Sequence, residues 1–247
     1  MPFEGGVPVA LAWSGGKDSS LALATLRADP AVEVVALLTT ITHDFDRISM
    51  HGVRRSVLEA QVAALELPLV EASIPAAASN VIYEEALASA LTELRRQYPD
   101  LHHLAFGDLF LEDVRSYRER ILPPLGWTPL FPLWGRDTKV LARDFVASGF
   151  RAILTCVDTE QLGAEFAGQE FDTTLLAELP ATVDPCGERG EFHTCVYAGP
   201  IFRHSLALQT GERVRRDGRF EYCDVMLSES TAGVPGIHLV GGIQVAR

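Results

Sequence analysis

The chain has 247 residues, of which 47% are hydrophobic, and its formal net charge is −12. This length fits one large or two small domains with a substantial core. No apolar run approaches the roughly 20 residues that span a bilayer, and the acidic balance disfavours broad nucleic-acid binding through Lys and Arg. Four cysteines are too few for a disulfide scaffold, and the first residues lack a basic and apolar leader, so we expect a cytoplasmic protein without membrane contact.

The first element carries the most informative motif, Ser-Gly-Gly-Lys-Asp-Ser, between the apolar run Val7–Trp13 and a helix predicted over Ser19–Arg27. Two glycines let backbone N–H groups turn toward an anion, and the helix N-terminus adds positive potential. The motif resembles the pyrophosphate loop of the N-type ATP pyrophosphatases, which implies ATP cleavage between the α- and β-phosphates. The predicted nucleotide ligands in this loop are Ser14, Gly15, Gly16, Lys17, Asp18 and Ser19.

Strand and helix signals then alternate through the first two thirds of the chain. The predicted strands are Val7–Trp13, Val32–Ile41, Pro68–Ile74, His102–Phe106 and Arg151–Val157. The predicted helices are Ser19–Arg27, Val53–Leu65, Val81–Tyr98, Val114–Leu122 and Lys139–Ser148. Such alternation predicts an α/β fold with a doubly wound, mostly parallel sheet, whose ligand lies beyond the carboxyl ends of the strands.

The pattern changes after about residue 158. A helix is predicted over Phe166–Leu179, and strands over Val196–Tyr197, Ser205–Thr210 and Arg219–Leu227, with turns at Gly211 and Asp217-Gly218. The Gly-rich segment Ser228–Arg247 is left as a strand or tail. We therefore predict an ATP-binding domain at residues 1–158 and a small C-terminal α+β subdomain at 159–247 that binds the substrate.

Two segments at predicted strand ends supply further candidates for the nucleotide site. Met50 and His51 follow the second strand and could pack against a purine or contact its edge, although an ordinary helix-entry segment explains them equally well. Gly107 and Asp108 follow the fourth strand, where a carboxylate suits Mg²⁺ or ribose, and Asp108 is our candidate metal ligand. The alternative for Asp108 is a cap of the next helix.

A polar loop over residues 184–194 concentrates acids, a histidine and a cysteine. Glu188, Glu191 and His193 could hold an amine or act as general bases. Cys186, His193 and Cys195 also suggest zinc, but they lack paired C-x-x-C spacing and a fourth ligand. The candidate catalytic residues of the whole chain are Lys17, Asp18, Glu188, Glu191 and His193.

The chain from Val9 to about Phe202 resembles the diphthine–ammonia ligase family, a group of adenine nucleotide alpha hydrolase-like proteins with a HUP-type fold. The segments that carry the resemblance are Ser14–Ser19, Ser49–His51, Phe106–Asp108, Asp113–Arg115, Pro132–Trp134, Gly149-Phe150 and Cys186-Gly187-Glu188-x-Gly190-Glu191. The resemblance implies that a substrate carboxylate attacks the α-phosphorus of ATP, and that ammonia then displaces AMP from the acyl adenylate. It implies ATP and Mg²⁺ as cofactors and a small or protein-borne acid as acceptor.

Two other functions stay open at this point. An adenylylating sulfur-transfer enzyme of the tRNA thiolation kind usually has clustered cysteines, whereas those of this chain are widely spaced. A nucleotide-binding sensor without turnover would not need the acidic loop. The acceptor acid, the nitrogen source and a homo-oligomeric state are likewise left open.

Overall fold

The computed structural model describes residues 6–228, 239–240 and 243–244. Its first sheet has the strand order β11-β12-β4-β2-β1-β5-β6, with β3 paired to β2. Strands β1, β2, β4, β5 and β6 run parallel to one another. The strands of this sheet are β1 Val7–Ala12, β2 Val32–Thr42, β3 Arg47–Ile48, β4 Leu69–Ile74, β5 His103–Ala105, β6 Thr128–Leu130, β11 Leu239–Val240 and β12 Ile243–Gln244.

Helices cover both faces of this sheet, which confirms the doubly wound α/β prediction. Residues of β1 alternate between two buried clusters: Val9 and Leu11 pack with α1 and α2, whereas Ala10 packs with α3. This alternation follows from the two-residue period of a strand. The helices are α1 Lys17–Ala28, α2 Arg55–Leu65, α3 Asn80–Gln97, α4 Glu112–Ile121, α5 Thr138–Ala147 and α6 Thr173–Glu178, with short 3-10 helices at Pro123–Leu125 and Ala164–Phe166.

A second sheet of four antiparallel strands follows, in the order β8-β7-β10-β9. Its strands are β7 Arg151–Asp158, β8 Phe192–Ala198, β9 Leu208–Arg216 and β10 Phe220–Leu227. The placement of β7 corrects the sequence interpretation, which grouped this segment with the parallel strands. Its seven consecutive buried residues fit any strand covered on both faces, so their pattern does not distinguish the two sheets.

Three other local predictions need correction or lie outside the described residues. Only Thr173–Glu178 of the helix predicted over Phe166–Leu179 is α-helical, and Gly211 lies inside β9 instead of at a turn. Asp217 and Gly218 do form the β9–β10 turn, with φ angles of 53° and 66°. The predicted tail lies largely outside the described residues, apart from the two short strands β11 and β12. No helix in the described part combines the length and apolarity that a membrane span requires.

The strand order also determines where a ligand can bind. The chain passes from β1 to β2 on one side and later to β5 on the other, so the connections diverge on either side of β1. A crevice therefore opens at the carboxyl ends of β1 and β5, the usual ligand position in open α/β sheets. The predicted domain boundary at residue 158 stays a prediction, and the chain changes sheet earlier, between β6 and β7.

Candidate active site

A cavity of about 870 Å³ occupies this crevice. Its walls come from the glycine loop, the ends of β2, β4 and β5, the helices α3 and α4, and the loop before β8. Nearly all of the predicted site residues line it: Ser14, Lys17, Asp18, Ser19, Met50, His51, Gly107, Asp108, Glu188 and His193. Gly15 and Gly16 shape the loop beneath it, and Glu191 is the predicted side chain that does not line it.

The glycine loop is held by short-range hydrogen bonds. Gly16 is the N-cap of α1, and its carbonyl accepts hydrogen bonds from the hydroxyls of Ser19 and Ser20, both at 2.9 Å. Gly15 has a φ of +74°, and a Cβ there would lie 2.6 Å from Gln61 Oε1. Only glycine fits both conditions without strain. The loop thus places the positive end of α1 at the cavity.

Lys17 and Asp18 form an ion pair at the first turn of α1. Lys17 Nζ lies 2.7 Å from Asp18 Oδ2, and the lysine side chain is only 3% exposed. Burial lowers the pKa of Lys17, but the charge and hydrogen bond of Asp18, together with smaller contributions from neighbouring groups that include Glu188, outweigh this effect, so the net pKa is raised. The ammonium also lies over the Phe192 ring, 5.5 Å from its centroid. Lys17 therefore stays positively charged at neutral pH, in a fixed position beside the loop.

Two residues that sequence reasoning missed join this loop to the second sheet. Gln61 of α2 is fully buried, donates to the carbonyls of Gly15 at 3.0 Å and Val196 at 2.6 Å, and accepts from the indole of Trp13. Thr194 accepts the backbone N–H of Lys17 at 3.0 Å. A signal for Gln61 was present, because it interrupts the apolar face of α2, and a buried amide needs several partners.

Asp108 lies beside Asp18 at the carboxyl end of β5. The close approach needs Gly107, since a Cβ there would lie 2.8 Å from the backbone carbon of Asp18. Burial raises the pKa of Asp108, the nearby Arg118 guanidinium opposes that shift, and the Asp18 carboxylate adds to it. Arg118 Nε lies 3.7 Å from Asp108 Oδ2. The carboxylates of Asp18 and Asp108 therefore share one wall with Arg118. The sequence analysis did not single out this arginine.

His51 and His193 pack against each other beside the glycine loop. Their ring centroids are 4.6 Å apart, and His51 Nδ1 lies 3.4 Å from the Thr194 carbonyl. Burial, with a contribution from Lys17, lowers the pKa of His51 to about 4, and burial together with His51 lowers that of His193 well below its usual value. Both rings are therefore neutral at physiological pH, which favours hydrogen bonding over proton transfer. Met50 lies at the rim and is 70% exposed.

Glu188 and Glu191, the two glutamates of the acidic loop, lie in different environments. Glu188 lines the cavity and accepts the backbone N–H groups of Leu109 at 2.7 Å and Phe110 at 3.4 Å. Burial raises the pKa of Glu188 to about 7. Glu191, in contrast, is 1% exposed and accepts the backbone N–H groups of Asp184 and Arg189, both at 2.9 Å. Glu191 thus braces the loop that presents Glu188.

The cysteines do not form a reactive centre. All four are free and buried, and burial raises the pKa of Cys186 and of Cys195 to about 12. Within residues 6–228, no group of three or more His, Cys, Asp or Glu side chains is arranged to hold a metal ion. The arrangement of the predicted zinc ligands therefore gives no support to a zinc site.

Comparisons with known proteins agree with this architecture. The family model of the diphthamide synthase N-terminal domain matches residues 7–129, and that of the C-terminal domain matches residues 137–227. These matches fall on the first sheet with its helices and on the second sheet with the acidic loop.

Relatives named diphthine–ammonia ligase align along most of the chain. The protein from Schizosaccharomyces pombe is 29% identical over 81% of this chain, which spans only 36% of that longer relative. The protein from Danio rerio is 26% identical, and that from Homo sapiens 25%, and the alignments cover 81% and 83% of this chain and 86% and 84% of those relatives. Since the two family models together match most of the chain, at residues 7–129 and 137–227, the chain belongs to the diphthamide synthase family.

Proposed function

We propose that the chain is an ATP-dependent amide ligase, which adenylylates a substrate carboxylate, transfers the acyl group to ammonia and releases AMP and pyrophosphate. The observation that carries the proposal is the meeting of two unlike elements in one cavity. The glycine loop with the buried cation of Lys17 and the half-buried carboxylate of Glu188 both line it, and the charges of the two side chains interact. Relatives named diphthine–ammonia ligase support diphthine as the acid and ammonia as the nitrogen source.

In the first step, an oxygen of the substrate carboxylate attacks the α-phosphorus of ATP. The bond to the bridging oxygen of the β-phosphate breaks, and pyrophosphate leaves with that electron pair. We assign the leaving pyrophosphate to the glycine loop, the N-terminus of α1 and Lys17, which would stabilise the negative charge that it gains. Preorganised donors at such a position lower the barrier because they need no reorientation as the charge develops.

In the second step, ammonia attacks the acyl carbon and AMP leaves. AMP is a better leaving group than the oxide of the carboxylate that was not activated. Nitrogen must lose one proton overall, and the Glu188 carboxylate is positioned at the cavity to accept it. Burial raises the pKa of this group to about 7, which suits a general base working near neutral pH. The low pKa values of His51 and His193 make them weaker candidates for that role.

The residues present also fit Mg²⁺. Asp18 Oδ1 and Asp108 Oδ2 are buried and lack a hydrogen-bond partner within the described residues, although both line the cavity. Mg²⁺ is commonly held by one or two carboxylates together with substrate phosphates. We propose these two carboxylates as its protein ligands, and the ion would supply charge neutralisation for the phosphates.

The test is to incubate the protein with α-labelled ATP, Mg²⁺, ammonium and a diphthine-bearing acceptor. We expect labelled AMP and unlabelled pyrophosphate in amounts equal to the amide formed, and no product when acceptor or ammonium is left out. ADP as the sole product would contradict the mechanism. Tight ATP binding without turnover on any acid tested would favour a nucleotide sensor instead.

Sulfur transfer is the less favoured alternative. A persulfide-forming cysteine needs an accessible thiolate. Cys186 and Cys195 are the sequence neighbours of cavity-lining residues. Both cysteines are buried, and burial raises the pKa of each thiol.

A further inference from the structure

One wall of the cavity contains polar groups without partners. Within residues 6–228, five buried side-chain nitrogen or oxygen atoms lack a hydrogen bond, and three of them belong to cavity-lining residues. These three are Asp18 Oδ1, Asp108 Oδ2 and Arg118 Nε. An unpaired buried polar atom costs free energy, so the clustering of three at one wall indicates a ligand that completes them. Asp108 Oδ2 and Arg118 Nε lie 3.7 Å apart without a hydrogen bond between them, so the carboxylates can still bind a cation and Arg118 can still donate to an anion.

Arg118 is held in place before any ligand arrives. Its guanidinium lies over the Phe106 ring, 4.5 Å from the centroid, and Nη1 donates to the Tyr83 hydroxyl at 2.9 Å. Its Nε lies 3.7 Å from Asp108 Oδ2, which is beyond hydrogen-bond distance. The side chain is 20% exposed. One edge of the guanidinium is therefore fixed by stacking and by Tyr83, while Nε has no hydrogen-bond partner among the described residues.

The other cations of the cavity are already engaged or lie at its rim. Lys17 is paired with Asp18 at 2.7 Å. Arg189 is 57% exposed, lies over Phe110 and approaches Glu191 at 4.0 Å. Of the Lys and Arg side chains that line the cavity in the described part of the chain, Arg118 is the one that combines burial with an unpaired donor.

The order of groups along this wall matches the order of groups along ATP. The glycine loop and Asp18 lie at one end, Asp108 follows, Arg118 is next, and Tyr83 leads to an apolar region. The apolar region contains Leu38, Ile74, Leu87 and Leu104. In ATP, the β- and γ-phosphates are followed by the α-phosphate and then by the nucleoside.

We propose that Arg118 binds the α-phosphate of the nucleotide, the phosphate that remains with AMP after pyrophosphate leaves. This inference rests on the proposed function. The glycine loop holds the departing pyrophosphate, so the α-phosphate needs a separate cationic partner during attack and in the acyl adenylate. A guanidinium suits this task because its charge is permanent and its N–H donors lie in one plane.

The test is a comparison of AMP with adenosine as ligands, measured by calorimetry on the full chain and on Arg118→Gln. The two ligands differ only in the α-phosphate. We expect the variant to bind AMP about 10- to 100-fold more weakly, since a hydrogen bond between charged groups is lost, and to bind adenosine within about twofold of the original chain. Arg118→Lys keeps the charge but not the planar donor edge, and we expect an intermediate loss of AMP affinity.

Arg120→Gln is the matched control, because Arg120 is on the same helix, is 64% exposed and pairs with Glu84 outside the cavity. It should leave both affinities unchanged. An AMP-to-adenosine affinity ratio that stays the same in Arg118→Gln would overturn the assignment, and so would equal losses for both ligands. These binding measurements need no turnover. The absence of AMP formation from ATP would refute the ligase without deciding the role of Arg118.

Discussion

The glycine loop and the acidic loop line one cavity, but they are built differently. The glycine loop is formed by neighbours in sequence: a strand, two glycines, a helix N-terminus and two serine hydroxyls that bond Gly16. The acidic loop depends on distant residues, since Glu188 bonds the backbone after β5 and Asp184 accepts the hydroxyl of Thr138 at 2.7 Å. The comparison shows that density of charge in a loop does not identify its reactive group. Position in the folded chain does.

The largest expected effect lies in the glycine loop. Asp18→Asn keeps the size of the side chain but removes the charge that pairs with Lys17 and the carboxylate proposed for Mg²⁺. We expect AMP formation to fall about 10³-fold, the scale seen when one preorganised electrostatic group is lost. Measuring the rate at which labelled AMP forms checks this prediction. A loss smaller than tenfold would mean that the Lys17–Asp18 pair is only structural.

The second prediction concerns the pH dependence that Glu188 imposes. Burial raises its pKa to about 7, so the carboxylate form needed as a base becomes abundant only as the pH rises through 7. We expect turnover per concentration of free NH₃ to rise between pH 6 and 8. In Glu188→Gln it should be about 100-fold lower and flat with pH. An unchanged pH profile in this variant would remove Glu188 from the proton transfer.

Glu188 should also weaken the fold at high pH. Its folded-state pKa of about 7 exceeds the ordinary value of 4.5, so the folded chain binds this proton more tightly than the unfolded chain does. The stability that Glu188 contributes is present at low pH and is lost as the pH rises through 7. Glu188→Gln should therefore melt at a higher temperature than the original chain at pH 8, with a smaller difference at pH 5.

The next prediction concerns Gln61, which connects the glycine loop to the second sheet through hydrogen bonds. Gln61→Leu removes the amide that bonds the Gly15 and Val196 carbonyls and leaves both without that donor in a buried place. We expect a loss of about 2–3 kcal/mol in the free energy of unfolding, measured by denaturant titration. ATP affinity should fall as well, because Gly15 belongs to the phosphate loop. Gln97→Leu serves as the control, because its amide bonds only Glu93 on the same helix, and it should cost far less.

The smallest effect is expected at Glu191. Its carboxylate accepts two backbone N–H groups of its own loop and does not line the cavity. Glu191→Gln keeps one acceptor oxygen, so we expect a loss of about 1–2 kcal/mol in stability. The pH profile of turnover should keep its shape. If Glu191→Gln flattened that profile as Glu188→Gln does, the division of labour between the two glutamates would be wrong.

Much of the fold could be predicted from the sequence alone, and so could several of the residues that line the cavity. The five helices from α1 to α5, the parallel strands β1, β2, β4 and β5, and the glycine loop were predictable because they depend on local periodicity and on the conformational freedom of glycine, whereas the three-residue strand β6 was not predicted. The predicted Asp108, which follows β5, also lines the cavity, because residues at the ends of parallel strands meet at one edge. These features need only neighbours in sequence or the general rule for α/β sheets.

The tertiary structure decided the rest. It placed β7 in the second sheet, kept Glu191 out of the cavity lining, and brought Gln61 to the glycine loop and Arg118 to the cavity wall beside Asp108. Each of these depends on partners far away in sequence, such as Gly15 for Gln61 and Tyr83 for Arg118. Glu188 and Glu191 lie three residues apart and carry the same chemical group, so the sequence alone does not distinguish their roles. Only the hydrogen bonds and burial that long-range packing creates determine which of the two lines the cavity.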